Sequence, residues 1–553
     1  MAKMQKKIKF FIPRVWLGDV YLPIVQYSLK MCYDMSGKFP DQLEWCPSYV
    51  ELGNHNQMWE EFLRDDPDII CMSLYVWNAV GLHSLAKRIR KEFPEKIIIL
   101  GGPEIHWKTH DQYWKDHPWY DYMIYGDAEE TFPQLIDLIV GDNCTELNLL
   151  QISNLIYQSK NKIVKTSHQL YNGSLYKEHS PWLYNLADFE RDCKLIKDSG
   201  NKPAVAWESD RGCPYNCSFC DWQAGLHHKV IGKNYSFVEE LTMFAQHGCR
   251  FFSNNANTGI RKDDINIMRL LYQLSARYPE FEIQQPSWAK LNTDRVYKIL
   301  KIQGEILGSI YAKQALQSIT PAVLENIDRP GVDWKDQKNA ILALREETGV
   351  NVVYHAELIV GLPGETKETW DHTMLELMDL YPIVNIDANH WVLLPNSPAA
   401  DPDYIKKHKL NIMPTMDLFE DTHIRRIFDE RLTHDRVAEL IISSYVEDTF
   451  GWQGNFINET YSSSLEDKLY MLIASGVCLN LQKLTAGHNE NAKALYKKMK
   501  PAMWSRAQND GKKFREYYEK YKIMPIYVFY KGRIYMYREA WVSDLCFEML
   551  IND

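Results

Sequence analysis

Three cysteines within eight residues constrain this chain more than any other feature. The stretch reads Arg211-Gly212-Cys213-Pro214-Tyr215-Asn216-Cys217-Ser218-Phe219-Cys220-Asp221-Trp222, a C-x3-C-x2-C spacing. Its Gly and Pro mark a loop. Soft thiolates select iron–sulfur centres or zinc over hard cations. Three thiolates on one loop can hold three irons of a cubic [4Fe–4S] cluster. No fourth cysteine follows closely, and the next, Cys249, heads a strand-like run. One iron would then stay open to a substrate or cofactor. A zinc knuckle, or three unrelated buried thiols, is the competing reading of the same residues.

The loop resembles the signature of the radical S-adenosylmethionine (SAM) enzymes. That resemblance implies that Cys213, Cys217 and Cys220 hold the cluster and that its open iron chelates the amino and carboxylate groups of SAM. It also implies that Phe219, the aromatic residue before the last cysteine, lies near the adenine. The loop points to the superfamily, not to the reaction.

At 553 residues the chain has room for two to four domains. Its net charge of −10 gives no basis for recruiting nucleic acid or an anionic membrane. The start runs directly into a strand-like Ile8-Lys9-Phe10-Phe11-Ile12, so no signal peptide is expected, and no apolar run approaches the length of a membrane span. Eleven cysteines in this length do not suggest a disulfide scaffold, and a cluster needs a reducing compartment. The expected location is the cytoplasm.

Residues 1–165 alternate strand-like and helix-like segments. Ile69-Ile70-Cys71-Met72-Ser73-Leu74-Tyr75-Val76 has the pattern of a buried strand, and 80–93 carries apolar residues at helical period through Leu82, Leu85, Ala86 and Ile89. Lys96-Ile97-Ile98-Ile99-Leu100 runs into Gly101-Gly102-Pro103, and Tyr122-Met123-Ile124-Tyr125 into Gly126-Asp127-Ala128-Glu129-Glu130. Such alternation implies a parallel, doubly wound sheet, which binds ligands beyond the carboxyl ends of its strands. The candidate ligand loops are therefore 13–20, 75–80, 101–107 and 126–130.

Three of these loops resemble the cobalamin-binding domain that precedes many radical SAM domains. The residues that carry the likeness are Ser73, Tyr75, Trp77 and Asn78, then Gly101, Gly102, Pro103 and Glu104, then Gly126. Glycines at the double-Gly turn would let backbone approach the nucleotide tail of the cofactor. One departure stands out. Many cobalamin proteins place a His under the cobalt from the loop after the first strand, whereas no His occurs here before His55. Trp77 is the expected bulky neighbour of the lower face instead.

Residues 166–200 are expected to link this domain to a second β/α region over 201–405. Ala204-Val205-Ala206-Trp207-Glu208 should deliver the cysteine loop at the carboxyl end of the first barrel strand, the rim where such barrels gather their sites. Ser236-Phe237-Val238-Glu239 reads as a capping box opening a helix. Asn254-Asn255-Ala256-Asn257-Thr258-Gly259-Ile260 resembles a strand end of cobalamin-dependent radical SAM proteins, with Asn255 in place of an acid and Thr258 in place of an aromatic. Gln317-Ser318, with Thr320 as a helix cap, resembles the family's Gln-Ser strand end. Gly361-Leu362-Pro363-Gly364-Glu365-Thr366 and Leu394-Pro395-Asn396-Ser397-Pro398 resemble two further family turns. The resemblance thus places Phe219, Asn255, Asn257, Gln317 and Ser318 around SAM.

The region 406–553 carries no readable motif. Helical patterns at 437–449, 465–480 and 491–499 suggest a mainly helical cap. The expected fold class is α/β: a Rossmann-like cobalamin-binding domain, then a radical SAM partial (β/α) barrel, then that C-terminal region. The resemblance implies a cobalamin-dependent C-methyltransferase using a [4Fe–4S] cluster, SAM and cobalamin. It would methylate an unactivated carbon of a peptide or natural product through a 5′-deoxyadenosyl radical and methylcobalamin, with flavodoxin or ferredoxin as reductant. Two alternatives stand beside it. One uses the same cofactors for rearrangement or cyclisation without methyl transfer, and the other is a cobalamin-binding sensor with a structural cluster.

Overall fold

A computed structural model describes residues 5–12, 15–16, 19–48, 55–75, 78–170, 174–222, 230–253, 258–284, 287–288, 293–329, 333–378, 380, 384–391 and 393–410, with the strands 526–530 and 533–537. The first unit is a seven-stranded sheet. Its strands β1 (Lys6–Phe11), β4 (Leu43–Trp45), β5 (Ile69–Ser73), β6 (Ile97–Gly101) and β7 (Tyr122–Ile124) run parallel, in the order β4-β1-β5-β6-β7. β8 (Leu155–Ser159) and β9 (Lys162–Lys165) extend the β7 edge as an antiparallel hairpin.

The apolar runs are continuous because both faces of the sheet are covered. Ile70, Met72, Ile98 and Leu100 pack with Leu82, Leu85, Ala86 and Ile89 of the helix Ala79–Glu92. Ile69, Cys71 and Ile99, one residue out of phase, pack with Phe132, Leu135, Ile136 and Ile139 of the helix Thr131–Val140. Each of the Ile, Leu, Met and Phe side chains among them contributes about 1.5–3 kcal/mol on burial. Lys9 interrupts β1 yet is fully buried, because Glu61 at 2.8 Å and Asp65 at 2.5 Å neutralise it.

The loop at 13–20 departs from expectation. β2 (Val15–Trp16) and β3 (Asp19–Tyr21) form a ribbon whose second strand pairs in parallel with β10 (Lys202–Trp207), so this segment crosses to the second sheet. A three-residue strand has too little pattern to reveal a partner nearly two hundred positions away.

That second sheet has the order β14-β13-β10-β3-β2, with β13 (Arg250–Ser253) and β14 (Glu282–Gln284) parallel to β10. Its companion is a parallel four-stranded sheet of β15 (Ser287–Trp288), β16 (Ser309–Gln317), β17 (Asn351–Val360) and β18 (Val384–His390). Between β10 and β13 lies a short antiparallel ribbon, β11 (Asp210–Arg211) with β12 (Ile231–Gly232). The stretch 166–200 is no mere linker, since Trp182, Phe189, Cys193 and Ile196 enter the barrel core.

Two caps differ from their sequence reading. The helix Val238–Gln246 has no side-chain cap; Ser236 Oγ meets only the Val238 N–H at 3.4 Å, and Glu239 is exposed. The neighbouring Glu240 is the buried acid, accepting from Trp207 Nε1 at 2.5 Å and Tyr235 OH at 3.2 Å. Burial of a satisfied carboxylate prevails here over local capping. Thr320 stands at the N-cap of Pro321–Asn326, but its hydroxyl makes no cap hydrogen bond and is buried with no partner among the described residues. Beyond residue 410 the described residues are β19 (Ile526–Tyr530) and β20 (Arg533–Tyr537), an antiparallel hairpin. The helices expected at 437–449, 465–480 and 491–499 lie outside the described residues.

Candidate functional site

The cysteine loop leaves β11 and is held from three sides. Ser218 N–H donates to the Ile327 carbonyl at 2.9 Å, and the Ser218 carbonyl accepts from Ala399 N–H at 2.9 Å. Ser218 Oγ lies 2.8 Å from Tyr404 OH, which itself donates to the Asn326 carbonyl at 2.8 Å. Within the loop Cys220 N–H meets the Cys217 carbonyl at 3.1 Å, and Trp222 N–H points at Cys220 Sγ at 3.4 Å. None of Cys213, Cys217 and Cys220 is in a disulfide. Burial, and then the charges of Cys217 and Cys213 among its neighbours, push the Cys220 thiol up to about 11. A Cys220 thiol so placed resists ionisation without a cationic centre beside it. Among the described residues no three His, Cys, Asp or Glu side chains converge on a single-ion position. A donor set of three thiolates along one loop suits a cluster, in which each sulfur takes its own iron.

The loops of the first sheet come to this same place. Arg211, two residues before Cys213, reaches Glu129 Oε1 at 2.7 Å, Asp127 Oδ1 at 3.1 Å and Glu208 Oε2 at 3.0 Å. Asn396, from the Leu-Pro-Asn-Ser-Pro turn, donates to the carbonyls of Ile105 at 2.8 Å and Pro103 at 3.2 Å. Lys108 Nζ donates back to the Asn396 carbonyl at 2.8 Å. Asp221, directly after Cys220, lies in this seam; burial pushes its carboxyl up to about 7, against the nearby Asn396 amide and the Lys108 charge.

The cobalamin-type positions sort into two kinds. Gly101 pairs with Ser73 at the strand ends, and a Cβ on it would meet nothing of the described residues within 4 Å. Gly102 has φ +101°, and a Cβ there would lie 2.3 Å from the Leu74 carbonyl oxygen. The fold itself requires the glycine at 102, whereas no described protein atom opposes a side chain at 101. Asn78 is engaged within its own loop, accepting from Tyr75 N–H at 2.8 Å and donating to the Ser73 carbonyl at 3.1 Å. Glu104 N–H bonds the Leu74 carbonyl at 3.3 Å, and Gly126 takes φ +74° after β7. Trp77 lies outside the described residues.

Of the SAM-type positions, Asn255 and Asn257 also lie outside the described residues. Gln317 sits where β16 slips register, in a left-handed backbone with φ +68°. A non-glycine residue held so is a strained position of the kind found at ligand sites. Ser318 is fully buried and donates to Glu365 Oε1 at 3.0 Å, so it supports the strand end from behind. Phe219 is half-buried against Val323, Leu324, Ile327 and Leu362, with part of its ring left open. Alternate residues of β16 and β17 face away from the helix-packed core and pair with one another. Tyr311 OH meets His355 Nδ1 at 2.7 Å, and Lys313 pairs with Glu357 at 2.7 Å, giving the barrel interior a polar wall.

Arg211, Asp221, Asn396 and Tyr404 are not singled out as site residues by the sequence. Asp221 and Arg211 flank the cysteines, and that adjacency is the available signal. Tyr404 arrives only through tertiary packing.

No protein-family model matches the chain. It is 26% identical over 397 residues to a 2-(S-pantetheinyl)-carbapenam-3-carboxylate methyltransferase of Streptantibioticus cattleyicolor, a match covering 70% of this chain and 56% of the relative. It is 25% identical over 351 residues to the cobalamin-dependent radical SAM methyltransferase TokK of Streptomyces tokunonensis, covering 63% and 50%. The chain thus spans about half the length of these curated relatives. Its fold matches the radical SAM methyltransferase TsrM of Kitasatospora setae, solved with cobalamin and a [4Fe–4S] cluster, at a TM-score of 0.53 and 14% identity, over 71% of this chain and 74% of that one. A three-cysteine loop, a doubly wound sheet whose strand-end loops close onto it, and these relatives point the same way: the chain is similar to cobalamin-dependent radical SAM methyltransferases and shares the fold of one of them.

Proposed function

We propose that this chain is a cobalamin-dependent radical SAM C-methyltransferase acting on an unactivated carbon of a peptide or small natural product. The observation that carries the reading is the seam. Asn396 bridges the 101–107 loop to the barrel rim, and Arg211 bridges the 126–130 loop to the stem of the cysteine loop. Two cofactors held by these loops would face one cavity, as transfer to a single substrate atom requires. Two relatives named as methyltransferases support the same reading.

In this reading Cys213, Cys217 and Cys220 hold a [4Fe–4S] cluster. Phe219 and Gln317 line the SAM side, together with Asn255 and Asn257. Ser73, Tyr75, Trp77, Gly101, Pro103, Glu104 and Gly126 border cobalamin, while Gly102 and Asn78 shape its loops. When bound, the cluster with SAM supplies hydrogen abstraction and cobalamin supplies the methyl group. The protein's part is to orient the substrate against the polar wall of Tyr311, Lys313, His355 and Glu357, and to exclude water. A low-potential donor such as flavodoxin or ferredoxin would supply electrons. Among the described residues no helix is long and apolar enough to cross a membrane, which accords with a cytoplasmic enzyme.

The test is product analysis by mass spectrometry with methyl-deuterated SAM and a carbapenam thioether as first substrate, followed by other natural-product classes. A trideuteromethyl group in the product is the expected result. Formation of 5′-deoxyadenosine with an isomerised or cyclised product free of label would replace methyl transfer by rearrangement.

A further inference from the structure

Arg329 follows the helix Pro321–Asn326 and projects toward the cysteine loop. Its Nη1 lies 3.5 Å from Cys217 Sγ, and its Nη2 donates to the Ala315 carbonyl at the end of β16. Its Nε is buried and meets no acceptor among the described residues. No carboxylate of the described residues stands within ion-pair distance of this guanidinium, although most other partly buried arginines here have one. A cation withdrawn from water without a counter-charge is costly. The negative charge that would complement it is on the loop it touches, as the thiolates and sulfides of a bound cluster.

We propose that Arg329 is a positioning residue that donates to the sulfur of Cys217 and raises the reduction potential of the cluster. This rests on the cluster reading above. One-electron reduction, by dithionite in vitro, adds negative charge to the centre while the charge of Arg329 stays fixed. The cation and its N–H···S bond therefore stabilise the reduced form more than the oxidised one. The Ala315 carbonyl fixes the guanidinium, so the effect is built in before SAM arrives.

The test uses the full chain, reconstituted anaerobically with iron and sulfide, as wild type, R329Q and R329K. Iron content, midpoint potential by dithionite titration followed by electron paramagnetic resonance, and SAM affinity are measured separately. R329Q is expected to keep the wild-type iron content and SAM affinity. At a fixed potential its ratio of reduced to oxidised cluster should fall about tenfold, a shift of about 59 mV to more negative values for one electron. R329K keeps the charge but not the planar fork, so its potential should fall by less. Should R329Q fail to hold iron, R329K alone decides: a potential below wild type supports the proposal, and one at or above it overturns it. An iron-loaded R329Q with the wild-type potential also overturns it, whether or not SAM affinity falls. A wild-type chain that binds no cluster at all would instead sink the proposed function.

Discussion

Asn396 Nδ2 lies 2.8 Å from the Ile105 carbonyl oxygen, across nearly three hundred residues of sequence. The same nitrogen reaches the Pro103 carbonyl at 3.2 Å, and Asn396 itself is 2% exposed. One amide thus satisfies two carbonyls of the loop that follows Gly101-Gly102. In a buried seam such carbonyls have no water to fall back on.

Replacing Asn396 with Ala should therefore take its donor from the Pro103 carbonyl and leave the Ile105 carbonyl with the Trp107 N–H at 2.8 Å. The expected cost is about 1–3 kcal/mol. Thermal unfolding should show a lower midpoint, and limited proteolysis should cut earlier near residues 101–108. Unchanged stability and protection would mean that the seam is held elsewhere.

The two adjacent glycines should separate fold from ligand. Gly102→Ala forces a side chain into positive φ and against the Leu74 backbone at 2.3 Å. The backbone term alone is about 1–2 kcal/mol, so this variant should unfold at lower temperature with or without cobalamin. Gly101→Ala meets no atom of the described residues within 4 Å, so it should keep the wild-type melting temperature and lose cobalamin affinity by equilibrium dialysis. Equal behaviour of the two variants would remove the distinction.

Glu365 gives the protein a pH dependence. Burial raises its carboxyl from 4.5 to about 8; Ser318 serves Oε1, and Oε2 is buried with no hydrogen-bond partner among the described residues. The folded state then binds a proton that the unfolded state has already released, so stability is full below about 4.5 and is lost as pH rises toward about 8. The slope is at most about 1.4 kcal/mol per pH unit. Glu365→Gln imitates the protonated acid and should flatten the melting temperature across that window. It should also exceed wild type in stability at its upper end. A variant with the wild-type pH profile would show that Glu365 is ionised in the fold.

Tyr404→Phe removes the hydroxyl that joins Ser218 to the Asn326 carbonyl. Overall stability should fall by about 1 kcal/mol. The sharper effect is expected on the cysteine loop, as several-fold faster loss of iron to a chelator. Iron retention equal to wild type would assign the tyrosine to packing alone.

The cysteine loop was legible because a short run of one residue type at fixed spacing carries its chemistry locally. The parallel sheet was legible in the same way, since β5 and β6 are continuous apolar runs and only a strand covered on both faces tolerates them. Glu365 and Asn396 were visible as letters of two turns, but their roles were not. A carboxyl raised by burial and an amide bonded across a seam depend on what packs against them.

What the sequence by itself determined is the donor set and the order of β/α elements, because thiolate spacing and hydrophobic period are properties of neighbouring residues. The tertiary structure decided the rest. It carried β3 across to β10, and it drew the stretch 166–200 into the barrel core. It set Arg329 against Cys217 and closed the Gly101-Gly102 loop onto the barrel rim through Asn396. Such contacts join residues tens to hundreds of positions apart, and they form only when packed elements exclude water and leave each buried polar group to find its partner in space.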